Sequence, residues 1–561
     1  LTNSMKGGLY MPKNNVSKFI NDHFVDCSWE NYFTKDGYQS FRTYMGNVEK
    51  GNSKIYKAPF AKGVPISKVL RDWNKELVSI STDWPSLWNF EQEMASKVGP
   101  LSVQKPLRDR MPDIMHYYED IKLPAVPLSS EAIITAKAEF HRLRDHIRPR
   151  AQDRTVTLMK KSTNSGNPYF TKRRNVIQDT SPCEIWTSGL DDVYYHQRII
   201  QNLPGGDYDS TAVIGWRGQE GGPEPSDVKN RVIFMFPFAI NIDELQVYQP
   251  LIEACQKTRL VPAWVSMDLV DEEITKLFDT KSSDDLVVCT DFSRFDQHFN
   301  SVMQETAKSM LEYVLRRGKS TERWLREVFP IKYSIPLAWE VNNYGLSVFK
   351  GPHGMGSGSG GTNADETLAH RVLQHEAALL AGSRLNPHSM CLGDDGVLSY
   401  PGITVNDVVK AYQSHGQECN ESKQYASTRD CVYLRRWHHT NYRQNGVCVG
   451  VYPTTRAIGR LRFLERFMDP EVWSPEMVAI RQLSIVENCK YHPLREQFAQ
   501  FCMKRDKYRL GIDIPGFMDD IVKFAKEATD YMPDFLGYTK TLQGYRPDGI
   551  SEWWIVKYLN N

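Results

Sequence analysis

The spacing of apolar positions along this 561-residue chain changes several times, and each change marks an element. Between Ser389 and Tyr400 two short apolar runs flank Leu392-Gly393-Asp394-Asp395-Gly396, which predicts a β-hairpin with acids at its bend. Leu286-Val287-Val288-Cys289-Thr290 is a continuous run short enough for a buried strand, and Asp291 closes it. From about 300 to 317 the period becomes helical, with Met303, Ala307, Met310 and Leu311 on one face. Another helix is predicted after the glycine-rich stretch Gly354–Gly361, running to about Leu380. Its buried stripe is Ala364, Leu368, Val372 and Leu379, and its cap is Thr362 or Asn363. Val405, Val408, Val409 and Tyr412 mark a further amphipathic helix, and helical patterning also starts near 131 and dominates 454–561. Residues 5–130 are mixed, with many aromatics and prolines and no repeat.

Composition narrows this little. The chain is 41% hydrophobic and 24% charged, as in a globular protein, and its length predicts several subdomains. A formal net charge of +1 means that any basic surface for nucleic acid is local. Ten scattered cysteines with no Cys-x-x-Cys pair point to a reducing compartment, and His415, Cys419 and Cys431 read as packing residues. The longest apolar run, Val232–Ile242, is broken by Pro237 and is far short of the ~20 residues that span a bilayer, so no membrane partner is expected. Leu1–Ser4 read as an added leader, with Met5 as the expected natural start.

The chemistry lies in local clusters. Ten basic residues and only two acids fall between Arg142 and Arg174. Within that stretch lies Ser165-Gly166-Asn167-Pro168, a turn followed by Tyr169-Phe170, and cations interleaved with rings suit a single-stranded nucleic acid. Lys229 and Arg231 lead into an apolar strand, where two cations can sit over a triphosphate, and Arg217 is a third candidate. The adjacent acids Asp394 and Asp395 are costly to bury without a cation, and carboxylate oxygens suit Mg²⁺. Gly356, Gly358 and Gly361 match a dinucleotide-binding spacing, but no clear strand precedes them and no acid follows at the end of a second strand. The glycine stretch is therefore read as a flexible loop before a helix.

Taken in order, a basic loop, Asp291-Phe-Ser-Arg-Phe-Asp296, Gly356-Ser-Gly-Ser-Gly-Gly-Thr-Asn363, Leu392-Gly-Asp-Asp395 and Lys423 closely resemble the palm of viral RNA-dependent RNA polymerases. The similarity is strongest to those of double-stranded RNA viruses of the partitivirus and picobirnavirus kind, with picobirnaviruses preferred. The motifs span roughly residues 163–436.

The resemblance implies an α+β closed right hand. Fingers would take 131–285 and 318–355, palm 286–317 and 356–440, and thumb and C-terminal tail 441–561, with 1–130 bridging fingers and thumb. It implies an RNA-directed RNA polymerase that replicates and transcribes a double-stranded RNA genome by nucleotidyl transfer with two Mg²⁺ ions, which Mn²⁺ can replace. Asp291, Asp394 and Asp395 would hold the metals and Lys423 would protonate the leaving pyrophosphate. Arg217, Lys229 and Arg231 would grip the triphosphate. Ser357, Gly358, Thr362 and Asn363 would meet the nascent pair. Asp296 would sense the ribose together with Asn363, Asp365 or Glu366, since Glu366 stands where many relatives carry asparagine. Ser165, Gly166, Asn167 and Pro168 would guide the template, and Tyr433, Leu434, Arg435 and Arg436 would hold the primer. Expected partners are single- and double-stranded viral RNA, ribonucleoside triphosphates and a capsid protein, in the virion interior and host cytoplasm. The alternatives are a reverse transcriptase, disfavoured because Asp296 stands where a bulky aromatic would exclude the 2′-hydroxyl, and a non-catalytic RNA-binding capsid-associated protein, which has no use for three acids in register.

Overall fold

The computed structural model describes residues 13–191, 194–201, 207–340, 345–528 and 547–561. Met5 and part of the C-terminal tail lie outside these residues. The chain forms two compact units. The first comprises residues up to Gly51, Lys105–Trp216 and Val232–Thr428, and the second Asn52–Gln104, Arg217–Arg231 and Arg429–Asn561. The N-terminal 130 residues thus divide between the units, and 429–440 belong with the C-terminal residues.

In the first unit the elements that matter are helices α1 (Ser130–Glu139) and α2 (Phe238–Thr258), strand β1 (Val287–Thr290), α3 (Ser301–Val314), α4 (Thr362–Leu380), the hairpin β2 (Met390–Leu392) and β3 (Asp395–Leu398), α5 (Val405–Ser414) and β4 (Tyr425–Ser427). The strands form one antiparallel sheet in the order β2-β3-β1-β4. All four residues of β1 are buried, as its uninterrupted apolar run requires. Asn300 caps α3, its side chain accepting from the Met303 N–H at 3.1 Å, and Thr404 caps α5 in the same way.

Helix α4 departs from its predicted amphipathic stripe. Beside Ala364, Leu368 and Val372 it buries Asp365, Glu366, His370, Gln374, His375 and Glu376. A helix that is polar yet covered nearly all round must find partners for those groups inside the protein: Asp365 bonds to Tyr248 of α2, Gln374 to Met390 of the sheet and His375 to Glu139 of α1, while His370 Nε2 is buried with no hydrogen-bond partner among the described residues. Its cap also differs from expectation. Gly361 holds the N-cap position without a side-chain bond, because the Thr362 hydroxyl turns back to the Ser359 carbonyl at 3.2 Å.

A second sheet orders Phe24–Asp26, Ser347–Phe349, Leu337–Trp339, Ala212–Gln219 and Lys229–Met235, of which residues 217–219 and 229–231 are counted with the second unit. Pro237 ends the predicted run Val232–Ile242 as a strand and caps the helix that follows.

The second unit is built on Trp73, Leu77, Trp437, Ile458, Leu461, Ile480, Leu483, Phe498 and Cys502. Trp553 and Trp554 pack against this core, and the Trp554 ring stacks on Tyr558 at 5.2 Å. A buried acid crosses it: Glu91 accepts from the Thr455 N–H at 3.1 Å, from the Thr454 hydroxyl and from His492 Nε2 at 3.0 Å. The unit also holds the hairpin β5 (Asp430–Tyr433) and β6 (Arg436–His439). All ten cysteines are free.

Candidate active site

The β2–β3 hairpin closes with Leu392 paired to Asp395, leaving Gly393 and Asp394 as its two turn residues. Gly393 has φ +58°, where a side chain would strain the backbone. Gly396 of β3 pairs with Thr290 of β1, so the next step of the register sets Asp395 beside Asp291. Asp394 and Asp291 are exposed and Asp395 is half-buried. Among the described residues no group of three or more His, Cys, Asp or Glu is already gathered as a metal cage. The donors fit a hard cation that keeps water and substrate oxygens as its remaining ligands, because they are carboxylates on neighbouring strand ends open to solvent.

Sequence reasoning missed Gln424. Its side chain accepts from the Asp291 N–H at 2.7 Å and donates to the Asp291 carbonyl at 2.9 Å, clipping the backbone of this acid. Lys423, next to it, is exposed and makes no side-chain bond to any described residue. Only its place on the chain, after α5 and before a strand of the sheet, gave a signal for Gln424.

The glycine stretch is a tightly held turn, which corrects the expectation of a flexible loop. The Ser357 hydroxyl donates to the Val232 carbonyl at 2.9 Å. A Cβ at Gly358 (φ +115°) would stand 2.1 Å from the Phe234 carbonyl oxygen, and one at Gly361 2.3 Å from the Tyr248 ring. These glycines serve close approach. Glu244 of α2 accepts from the Gly360 N–H at 3.1 Å, from Asn241 at 3.0 Å and from the Ser359 hydroxyl. Burial pushes its carboxyl up, opposed by the Lys332 ammonium.

Three candidates for ribose sensing separate clearly. Asp365 is fully buried and spent. Lys332 Nζ lies 2.9 Å from its Oδ2, and the Tyr248 and Tyr333 hydroxyls donate to it at 2.7 Å each. Glu366 is buried at 3% exposure. Asn363 is half-buried, and its Oδ1 accepts from the Trp264 indole N–H at 2.8 Å, which fixes the amide so that Nδ2 is its outward donor. Nδ2 lies 3.8 Å from where a Cβ on Gly393 would be.

Thr367 and His370 of α4 hold the hairpin tip. The Gly393 N–H donates to the Thr367 hydroxyl at 2.9 Å, and the Gly393 carbonyl accepts from His370 Nδ1 at 2.8 Å. Burial pushes the His370 imidazole down to about 4, so it stands neutral with the proton on Nδ1.

The turn Ser165–Pro168 is not an exposed template guide. Ser165 and Asn167 are each 1% exposed, and Asn167 donates to the Tyr32 carbonyl at 3.2 Å and the Asp209 carbonyl at 2.9 Å. The exposed cations around it are Arg142, Arg144, Arg148, Arg154, Lys160, Lys172 and Arg174. Arg150 pairs with Glu253, and Arg173 is held by Asn241 at 2.7 Å over the Phe238 ring.

In the second unit Lys229 and Arg231 are both exposed at alternate positions of one strand, hence on one face, and Arg217 lies 3.8 Å from Glu465. Of the expected primer residues, Tyr433 (1% exposed) and Arg436 (8%) are withdrawn from direct contact. The Arg436 guanidinium is packed on Gly450. Leu434 and Arg435 form the hairpin turn with φ +52° and +63°, and Arg435 is exposed, 3.8 Å from Glu220.

The family model for viral RNA-dependent RNA polymerase matches residues 139–497, which include every palm motif above. The chain belongs to the viral RNA-dependent RNA polymerase family. This polymerase is 53% identical over 542 residues to a protein of human picobirnavirus (strain Human/Thailand/Hy005102/-) named as a potential RNA-dependent RNA polymerase, covering 95% of this chain and 98% of that one. It superposes on the crystal structure of a human picobirnavirus RNA-dependent RNA polymerase with a TM-score of 0.88 at 52% identity, covering 96% of this chain and 99% of that one. The insertion-loop deletion mutant of such an enzyme gives 0.86 at 50% identity, with the same coverage. The polymerase is thus an RNA-directed nucleotidyltransferase of α+β fold that acts on RNA and nucleoside triphosphates. No helix among the described residues is long and apolar enough to cross a membrane.

Proposed function

We propose that Asp291 and Asp394 are the principal ligands of two Mg²⁺ ions, with Asp395 near the second, and that these ions serve RNA synthesis. The observation that carries this reading is the β1–β3 register, which brings Asp291 beside Asp395 while Asp394 occupies the turn. When bound, the two ions supply charge for an in-line displacement, lowering the pKa of the 3′-hydroxyl and neutralising the leaving pyrophosphate. The 3′-hydroxyl oxygen bonds the α-phosphorus and its proton passes to solvent water, as the bond from the α-phosphorus to the α–β bridging oxygen breaks. Lys423 Nζ gives its proton to the pyrophosphate, since a solvent-facing ammonium with no acid among the described residues paired to it is free to swing.

Asn363 Nδ2 and Asp296 read the ribose hydroxyls. Asp365 is excluded from this role because its carboxylate is already tied to Lys332, Tyr248 and Tyr333. Lys229 and Arg231, with Arg217, are the cations for the triphosphate, and Arg435 contacts the primer backbone. The exposed cations between Arg142 and Arg174 track the template phosphates. The genome is double-stranded RNA, and the setting is the virion interior and host cytoplasm with a capsid protein as partner.

Asp394→Asn tests the reading. It removes a metal ligand and leaves phosphate contacts alone, so synthesis should fall at least about a hundredfold, as expected when a charge-stabilising metal is lost, while template binding persists. Retained synthesis would overturn it.

A further inference from the structure

Thr367, His370 and Gln374 are spaced three and four apart on α4 and so share one face, and every one of them bonds to the β2–β3 hairpin. Gln374 Nε2 donates to the Met390 carbonyl at 2.8 Å near the hairpin base. At the tip, His370 and Thr367 take both backbone polar groups of Gly393 at 2.8 and 2.9 Å. Because a carbonyl only accepts, His370 Nδ1 must carry the proton. The ring is fully buried, packed against Phe292 at 5.3 Å and Phe295 at 5.8 Å, which flank Asp291 and Asp296. On the other side it leaves no room for a side chain. A Cβ at Gly396 would lie 2.7 Å from His370 Cε1. The same hydroxyl that holds Gly393 also reaches Asn363 Oδ1 at 3.5 Å, the atom pinned by Trp264. A chain of bonds therefore runs from Trp264 and Asn363 through Thr367 to the N–H of Gly393, the residue that precedes Asp394.

We propose that His370 and Thr367 are positioning residues that hold the Asp394 turn and tie its placement to Asn363 at the start of α4. The inference rests on the reading of Asp394 as a metal ligand. A glycine turn with only its strand ladder to hold it can swivel about Gly393, and two side-chain bonds to a buried helix remove that freedom before any ion arrives. A nucleotide that shifts Asn363 then shifts the acceptor of the Gly393 N–H as well, so recognition and metal placement move together.

The test compares His370→Phe, which keeps a ring but loses the donor, His370→Asn, whose amide can donate from the Nδ1 position, and Thr367→Val, which is nearly isosteric but loses the acceptor. Amide hydrogen exchange of residues 389–397 is measured in metal-free enzyme. The Mg²⁺ midpoint of single-turnover incorporation and RNA affinity are measured beside it. His370→Phe and Thr367→Val should speed exchange at the hairpin tip about tenfold with other segments unchanged, as expected when one buried hydrogen bond is lost. They should also raise the Mg²⁺ midpoint several-fold and leave RNA affinity as in the wild type. His370→Asn should recover most of both effects. Wild-type exchange and midpoint in folded Thr367→Val would overturn the proposal, as would His370→Asn behaving like His370→Phe, which would assign the effect to ring packing. Should His370→Phe fail to fold, Thr367→Val decides alone. The exchange result does not depend on metal, so it stands apart from the outcome for Asp394→Asn.

Discussion

Replacing Lys332 with methionine removes the cation from a fully buried charge cluster next to the Ser357–Gly361 turn. Lys332 and Asp365 are both at 0% side-chain exposure, 2.9 Å apart, and Lys332 Nζ also sits 3.8 Å from the centre of the Phe329 ring. Burial pushes the ammonium down, and Asp365 and Glu244 oppose that. Burial pushes Glu244 up, and Lys332 opposes it in turn. Methionine fills the same space but leaves buried Asp365 without its ion-pair partner and takes the Lys332 charge away from Glu244. Breaking a buried pair from one side costs about 3–5 kcal/mol, well above the ~1 kcal/mol of an exposed pair. The loss should be local to α4 and the Ser357–Gly361 turn, because Asp365 opens α4 and Glu244 holds Gly360. Native-state hydrogen exchange of α4 peptides under increasing urea measures the opening free energy. Lys332→Met should lower it by about 3 kcal/mol or more, and Asp365→Asn in the same chain should restore part of that, since the amide still accepts from a tyrosine. A loss under about 1 kcal/mol, or a double variant no more stable than the single, would refute the reasoning.

Lys423→Leu should slow single-turnover incorporation at least about tenfold with template affinity unchanged, and Lys423→Arg should also be slow because guanidinium does not readily release its proton; a wild-type rate would rule out the general-acid role. Burial alone would raise Glu139, but the Arg371 guanidinium at 2.8 and 2.5 Å overcomes this and holds it at about 2. Its folded pKa lies below the unfolded value, so the pair contributes stability above about pH 4.5 that is lost as pH falls toward 2; Glu139→Gln should flatten this part of the stability–pH curve. Asp296→Ala and Asn363→Ala should each lower the ribo-over-deoxyribonucleotide selectivity ratio, because a site built to bond a hydroxyl rejects the analogue lacking it by leaving polar groups unpaired; an unchanged ratio in both would move ribose sensing elsewhere.

The β2–β3 hairpin, its partner strand and the helices around them were legible because their signals are local. The alternation around Gly393-Asp394 and the short run before Asp291 need only a few residues each. What could not be read depends on residues far apart in sequence. Nothing near Gly358 tells that the Phe234 carbonyl will lie against it, so glycines placed for close packing look like a linker. Polar Ser165 and Asn167 look like loop-surface residues, yet Asn167 spends its amide on carbonyls 135 and 42 residues away. Tyr433 and Arg436 flank an exposed turn, but strand alternation carries both side chains inward, leaving Arg435 outside. The pairing of 52–104 with the C-terminal residues shows in contacts such as Trp73 with Thr454 at 2.7 Å, which no periodicity announces. For Asn363, Asp365 and Glu366, composition offered three equal polar candidates, and what separates them is the partners of Asp365, the burial of Glu366 and the Trp264 bond of Asn363, none of which is local in sequence.

The most direct test is anomalous scattering from a crystal of the polymerase grown with template–primer RNA, a non-hydrolysable nucleotide and Mn²⁺. Two peaks about 3.5–4 Å apart are expected, both within ligand distance of Asp291 or Asp394 carboxylate oxygens, and neither peak in Asp394→Asn under the same conditions. Two ordered metals bound to the nucleotide by other residues, with Asp291 and Asp394 turned away, would contradict it.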